Sequence, residues 1–146
     1  MVDVRTEIVI DRPRSVVAEY AANPDNAPRW YQNIDSAEWQ TPSPLAVGSR
    51  IAFTARFLGR KLSYVYKVED FVRGDKLVMR TAQGPFPMET TYTWTDVGTS
   101  TRMTLRNRGE PAGFSRIAAP LIATMMRKAN RKDLRSIKRV LETHTS

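Results

Sequence analysis

Cysteine is absent from this 146-residue chain, and histidine occurs once, as His144 near the C-terminus. Without cysteine there is no disulfide, no thiolate nucleophile and no Cys-based zinc site. A single terminal histidine leaves Cys-His and Ser-His pairs, and His-based metal sites, without support. No run of about 20 apolar residues exists to cross a membrane. The N-terminus carries Asp3, Arg5 and Glu7 where a signal peptide has its apolar region. Glycine is sparse, and Arg108-Gly109-Glu110-Pro111-Ala112-Gly113 lacks the spacing and the lysine of a phosphate-binding loop. The expectation is a cytoplasmic protein with no resident metal or cofactor and no catalytic triad.

The length fits one domain spanning 1–146, large enough to bury about 70% of its unfolded surface without covalent staples. The formal net charge is +8, of which +6 falls between Arg116 and Glu142. A concentration of charge on one segment reads either as a partner site or as the solvated face of a helix. The second is favoured, because no further recognition feature accompanies it.

Along the chain, Val2, Val4, Thr6, Ile8 and Ile10 alternate with polar residues, the period of a half-buried strand. Asp11 is placed to cap a helix over Pro13–Ala22, and Asn23-Pro24 starts a second short helix around Asp25–Tyr31. Strands follow over Ile34–Gln40, Arg50–Phe57, Lys61–Phe71, Lys76–Gln83, Met88–Thr95 and Ser100–Arg108, separated by turn chemistry such as Arg73-Gly74-Asp75 and Asp96-Val97-Gly98. Turns this short join antiparallel neighbours, since a parallel crossover needs a dozen or more residues. The sheet is then a meander with one apolar face to cover.

The cover is the stretch from Gly113 to Glu142, expected as a helix over about 115–142. Phe114, Ile117, Ala118, Leu121, Ile122, Met125, Met126 and Ala129 recur at helical spacing on one arc, loosely continued by Ile137, Val140 and Leu141. Arg127, Lys128, Arg131, Lys132, Arg135, Lys138 and Arg139 fill the opposite arc. Pro120 should start the main helix late or bend it after a first turn.

This order of elements, with Asn23-Pro24-Asp25 through Pro28-Arg29-Trp30, the strand start at Gly48, the Thr-flanked Gly98 turn, and Arg131-Lys132-Asp133-Leu134 through Lys138 to Glu142, resembles the START-like (SRPBCC) superfamily. Within it the chain is most similar to the polyketide cyclase/dehydrase and lipid-transport family. The resemblance spans essentially the whole chain and implies an α+β helix-grip fold. That fold is a curved antiparallel sheet of about six to seven strands wrapped around a long C-terminal helix, with two short helices after strand one. It also implies a deep apolar cavity between sheet and helix that receives a hydrophobic ligand.

The alternation places Phe53, Phe57, Tyr64, Tyr66, Met79, Tyr92, Trp94, Met103 and Leu105 on the concave face, with Trp30 and Met125 as closures. Phe114, Ile117, Leu121 and Met125 are placed to shape an entrance. The same residues can instead fill a solid core, and alternation alone favours core; the resemblance reverses that for the cluster as a whole. Tyrosine hydroxyls in an apolar wall suit a small-molecule site.

Acid–base candidates are Glu38, Glu69, Glu89, Asp70, Arg80, Arg102, Arg106 and the tyrosines, most of them on the outer face. Arg56, Arg80 and Arg106 are within reach of a cavity mouth, although solvation is the more ordinary role for each. Three functions compete. The first is binding of a lipid, polyketide or isoprenoid-like molecule. The second is a cyclase or dehydratase working in the same cavity by positioning its substrate. The third is docking of the basic helix face on an anionic membrane or nucleic acid. Nucleic acid is disfavoured because aromatic residues do not interleave the basic ones.

Overall fold

The computed structural model describes residues 2–57, 59–83, 87–109 and 119–143, the side chains of Phe57 and Ala119 excepted. Strand β1 (Val2–Ile10) leads to α1 (Arg14–Ala22), a 3-10 turn (Pro24–Asn26) and α2 (Ala27–Trp30). Then come β2 (Ile34–Trp39), β3 (Arg50–Phe57), β4 (Arg60–Val72), β5 (Lys76–Gln83), β6 (Met88–Val97), β7 (Ser100–Gly109) and α3 (Ala119–Thr143). The expected strands are all present, with ends moved by one or two residues. The described part of the terminal helix begins at Ala119, with Pro120 in its first turn, where a proline does not break the hydrogen-bond ladder. Its expected start near 115 lies outside the described residues.

One seven-stranded sheet runs β1-β7-β6-β5-β4-β3-β2, every neighbouring pair antiparallel. Strands β2 to β7 form the meander, and the helical segment after β1 carries the chain to the far edge. Gly74 and Gly98 adopt φ of 84° and 61° in the β4–β5 and β6–β7 turns, the left-handed region that glycine enters at least cost. The 13-residue β4 shifts register against β5 at Val65/Tyr66 and at Val68/Asp70. Such bulges bend a strand and increase its twist, and here they curl the sheet around α3.

The core divides into two parts. The larger cluster joins Leu134, Ile137 and Leu141 of α3 to Trp30, Trp94, Met103, Leu105, Ile10 and Val17. The smaller joins Ile122 near the start of α3 to Val2 and Val4 of β1, with Met126 against them. Helix α3 packs on β1 along its length and on α2. Its C-terminal end is pinned there, since Lys138 Nζ donates to Val9 O at 2.8 Å and Glu142 Oε2 accepts the Asp11 N–H at 2.8 Å.

Two local expectations are corrected. Asp11 does not cap α1: Pro13 occupies the N-cap position without a side-chain bond, and the Asp11 carboxylate instead accepts from Ser100 Oγ at 2.9 Å, two residues being too far for it to reach the first helical N–H groups from an extended chain. Leu121 and Met125 lie off the inward arc of α3, 64% and 39% exposed, because that arc is phased on Ile122, Met126, Ala129, Asn130, Asp133, Leu134, Ile137 and Leu141. The cap expected at Asn23 is present, its side chain accepting the Asp25 N–H at 3.0 Å.

Candidate ligand-binding cavity

Between the concave face of the sheet and the first half of α3 lies a cavity of about 170 Å³. Strands β3, β4 and β5 supply Phe53, Ala55, Leu62, Tyr64, Tyr66 and Met79; β6 supplies Met88, Thr90 and Tyr92. The opposite wall is Ile122, Met126, Ala129, Asn130 and Asp133. The void sits where the two core clusters part. Strand alternation aims large side chains inward from β3 to β6, while α3 answers at Ala129 with a side chain too short to meet them.

Of the residues expected to line the site, Phe53, Tyr64, Tyr66, Met79 and Tyr92 do line the cavity. Trp30, Trp94, Met103 and Leu105 do not. They are at most 1% exposed and lie in the larger cluster with Leu134, Ile137 and Leu141, which also holds Phe53, Tyr66, Met79 and Tyr92. Leu121 and Met125 face away from it. Phe114, Ile117 and the side chain of Phe57 lie outside the described residues. Among the arginines, Arg56 stands at the rim and bonds Asp35 at 3.1 Å. Arg106 and Arg80 are spent on the outer face: Arg106 forms a two-bond pair with Asp3 at 2.9 and 2.7 Å, and Arg80 pairs with Glu89.

The rings around the cavity pack on one another. Phe53 meets Tyr64 and Tyr66 with centroids 5.9 and 5.8 Å apart, and Tyr64 meets Tyr66 edge-on at 5.2 Å. Their hydroxyls form two short chains. Thr90 Oγ1 donates to Asn107 Oδ1 at 2.6 Å, which commits its only proton, so the Tyr66 hydroxyl 3.0 Å away is the donor to Thr90. Tyr31 and Tyr92 are bonded hydroxyl to hydroxyl. Burial pushes the Tyr66 phenol up to about 12, and burial raises those of Tyr31, Tyr64 and Tyr92 well above the ordinary range. All four are neutral hydrogen-bonding groups at physiological pH.

Asp133 is the ionisable group the sequence reading passed over. It is 3% exposed, accepts the Gln32 N–H at 3.0 Å, and its carboxyl is pushed up to about 6, chiefly by loss of water and against the pull of that bond. Asn130, one turn earlier, is 6% exposed, and its Nδ2 has no hydrogen-bond partner among the described residues. The signal was available. Both fall at helical spacing among Met126, Ala129, Leu134 and Ile137, and a carboxylate on an apolar stripe needs an explanation.

Residues 1–142 match the family model described as polyketide cyclase / dehydrase and lipid transport. The chain belongs to this family. Solved structures share its fold at low identity. A protein from Thermus thermophilus is 20% identical with a TM-score of 0.83, covering 98% of this chain and 99% of that one. A START superfamily protein from Mycobacterium smegmatis is 11% identical with a TM-score of 0.82, over 98% and 99% of the two chains. The Zhui aromatase/cyclase of a Streptomyces species is 13% identical with a TM-score of 0.79, over 96% and 93%. No functionally curated protein matches the chain by sequence. The architecture is therefore the START-like helix-grip fold, and the family's hydrophobic-ligand or cyclase theme applies at that level.

Proposed function

We propose that the protein binds a hydrophobic small molecule, of lipid, polyketide or isoprenoid-like character, in the cavity between the sheet and α3. The observation that carries this is the cavity itself, about 170 Å³ with predominantly apolar walls and a few buried polar groups. Such a mixture is typical of small-molecule sites, where apolar area provides affinity and a few polar atoms fix orientation. Size narrows the choice: a void of roughly 150 Å³ accommodates one benzene ring, so a single ring or a short branched chain fits without rearrangement. Native mass spectrometry of the purified protein, followed by organic extraction, tests the proposal. A co-purifying apolar species below a few hundred daltons is the expected result. A protein that carries nothing and binds no member of a panel of small apolar rings defeats it.

A second reading, a cyclase or dehydratase in the same cavity, is favoured by Asp133. A carboxyl raised to about 6 beside the neutral Tyr31–Tyr92 pair is suited to moving a proton near neutral pH. Turnover of a polyketide-like substrate that survives Asp133→Asn would remove that argument. A third, docking on an anionic membrane, draws on exposed Leu121 and Met125 near the cations of α3: among the described residues, Arg127, Lys128, Arg131 and Lys132 have no ion-pair partner. Vesicle binding that does not weaken with salt counts against it.

A further inference from the structure

One carboxyl group stands in the cavity wall with a single hydrogen bond to offset its charge. Asp133 is 3% exposed, lines the void from α3, and among the described residues accepts only the Gln32 N–H, on Oδ1. Its Oδ2 is not one of the buried side-chain atoms that lack a partner, which are Tyr20 Oη, Trp30 Nε1, Trp94 Nε1 and Asn130 Nδ2. That oxygen is therefore open, and the space this buried residue borders is the cavity.

No cation answers it among the described residues. The segment after α2 brings the phenol of Tyr31, β4 those of Tyr64 and Tyr66, and β6 that of Tyr92, all neutral at physiological pH. Strands β3, β5 and β7 bring Phe53, Met79 and Asn107, and β1 turns Val2 and Val4 towards α3. Arg29 of α2 is exposed, and so are Arg131, Lys132 and Arg135 on α3 itself. Lys138 pairs with Glu142, and Arg56 at the rim pairs with Asp35, its side chain 71% exposed.

Water that enters the cavity solvates Oδ2, and a ligand displaces it. A void of this size holds roughly one ring, so a ring that enters must border Asp133, and an apolar ring brings no donor in exchange for the water. An ionised carboxylate left with one hydrogen bond in a dry site is costly, and taking up a proton relieves that cost.

We propose that binding of a neutral hydrophobic ligand in the cavity is coupled to uptake of a proton by Asp133, so that the protein holds its ligand in mildly acidic conditions and releases it as pH rises. This rests on the ligand-binding reading above and adds to it a means of regulation. The sign follows from linkage. A ligand that prefers the protonated carboxyl tightens the hold on that proton by the same factor, and its own affinity is fully present below the pH at which the free protein titrates and falls above it. Burial pushes the carboxyl up to about 6 before any ligand enters, which brings the transition close to neutrality.

Calorimetric titration of the full chain with toluene, at pH 5.0 and pH 7.5 and in two buffers of different ionisation enthalpy, tests the proposal. Toluene affinity should fall at least about tenfold between the two pH values. The buffer dependence of the heat should give roughly one proton taken up per toluene at pH 7.5 and close to none at pH 5.0. Asp133→Asn should bind toluene equally at both, within about twofold, and take up no proton. The NMR titration midpoint of the Asp133 carboxyl carbon in the wild type keeps the assignment testable even if the variant fails to fold; added toluene should raise it by at least about one pH unit. Equal toluene affinity at both pH values without proton uptake, or a carboxyl midpoint that toluene leaves in place, overturns the coupling and leaves the hydrophobic cavity standing. A pH dependence that persists in Asp133→Asn overturns the assignment to Asp133. Toluene binding at neither pH removes the ligand-binding reading together with the proposal.

Discussion

The Asp133 carboxylate accepts the backbone N–H of Gln32 at 3.0 Å, tying the middle of α3 to the segment that follows α2. The bond spans 101 residues of chain, and Asp133 and the neighbours of Gln32, Tyr31 and Asn33, all line the cavity. One hydrogen bond does not repay removing a carboxylate from water, which is why burial prevails and the Asp133 carboxyl rises to about 6.

That shift predicts a pH dependence. The carboxyl binds its proton more tightly in the folded protein than at its ordinary value of 3.8, so its contribution to stability is fully present below pH 3.8 and is lost as pH rises through about 6. Two units correspond to about 3 kcal/mol. Asp133→Asn keeps an acceptor for Gln32 and cannot ionise, so it should show no such loss. Urea midpoints between pH 4.5 and 7.5 should therefore diverge, with the variant gaining on the wild type as pH rises. Comparing the two proteins cancels the opposite slopes from Asp3 and Glu89, whose carboxyls Arg106 and Arg80 hold low.

Two leucines of α3 should separate cleanly. Leu134 is 1% exposed within the main core, whereas Leu121 is 64% exposed. Leu134→Ala should cost about 2–5 kcal/mol, the range for a buried leucine whose cavity refills incompletely. Leu121→Ala should stay within about 0.5 kcal/mol, as surface substitutions do. Chemical denaturation followed by circular dichroism measures both, and equal losses would contradict the helical phase described here.

These contrasts locate what the sequence made legible. Strand alternation from Val2 to Arg108 carried the sheet, because a period of two survives polar interruptions and short turns leave only antiparallel pairing. It also brought Phe53, Tyr64, Tyr66, Met79 and Tyr92 to one face. It could not distinguish those five from Trp94, Met103 and Leu105, which share the face. Whether an inward side chain meets a partner or a void depends on how α3 and α1 lie across the sheet, and no local pattern encodes that. The helix was harder still. Its apolar arc is wide, so Leu121 and Met125 at its margin looked equivalent to Ile122 and Met126. Asn130 and Asp133, being polar, stand in neither the apolar arc nor the basic one, although their spacing puts them inside.

Gly109 illustrates a constraint of close approach. It ends β7, paired with Met88 at the start of β6, and a Cβ placed on it would lie 2.3 Å from Pro87 O and 2.5 Å from Met88 Sδ. Met88 can swing its thioether aside, but the backbone carbonyl of Pro87 is joined directly to the first residue of β6 and can move only with the backbone. Gly109→Ala should therefore destabilise by about 1–3 kcal/mol, the usual cost of overpacking. Because Met88 lines the cavity, ligand affinity should fall as well. A variant with unchanged melting temperature would show that the β6 entry yields freely.

Filling the cavity provides the sharpest distinction between a site and a poorly packed core. Ala129 lines the void from α3, while Ala21, 5% exposed, sits in the solid cluster under α1. The same change, alanine to leucine, should have opposite consequences. At Ala21 the added methylenes have nowhere to go, and a loss of about 1–3 kcal/mol is expected. At Ala129 they enter empty space, regain dispersion contacts that the walls lack, and remain in a residue with good helix propensity. Ala129→Leu should leave stability unchanged or raised, and should abolish binding of any small ring, p-cresol and toluene alike. Thermal melts and a titration on the two variants measure this directly. Binding that persists in a stable Ala129→Leu protein would place the ligand elsewhere than between the sheet and α3.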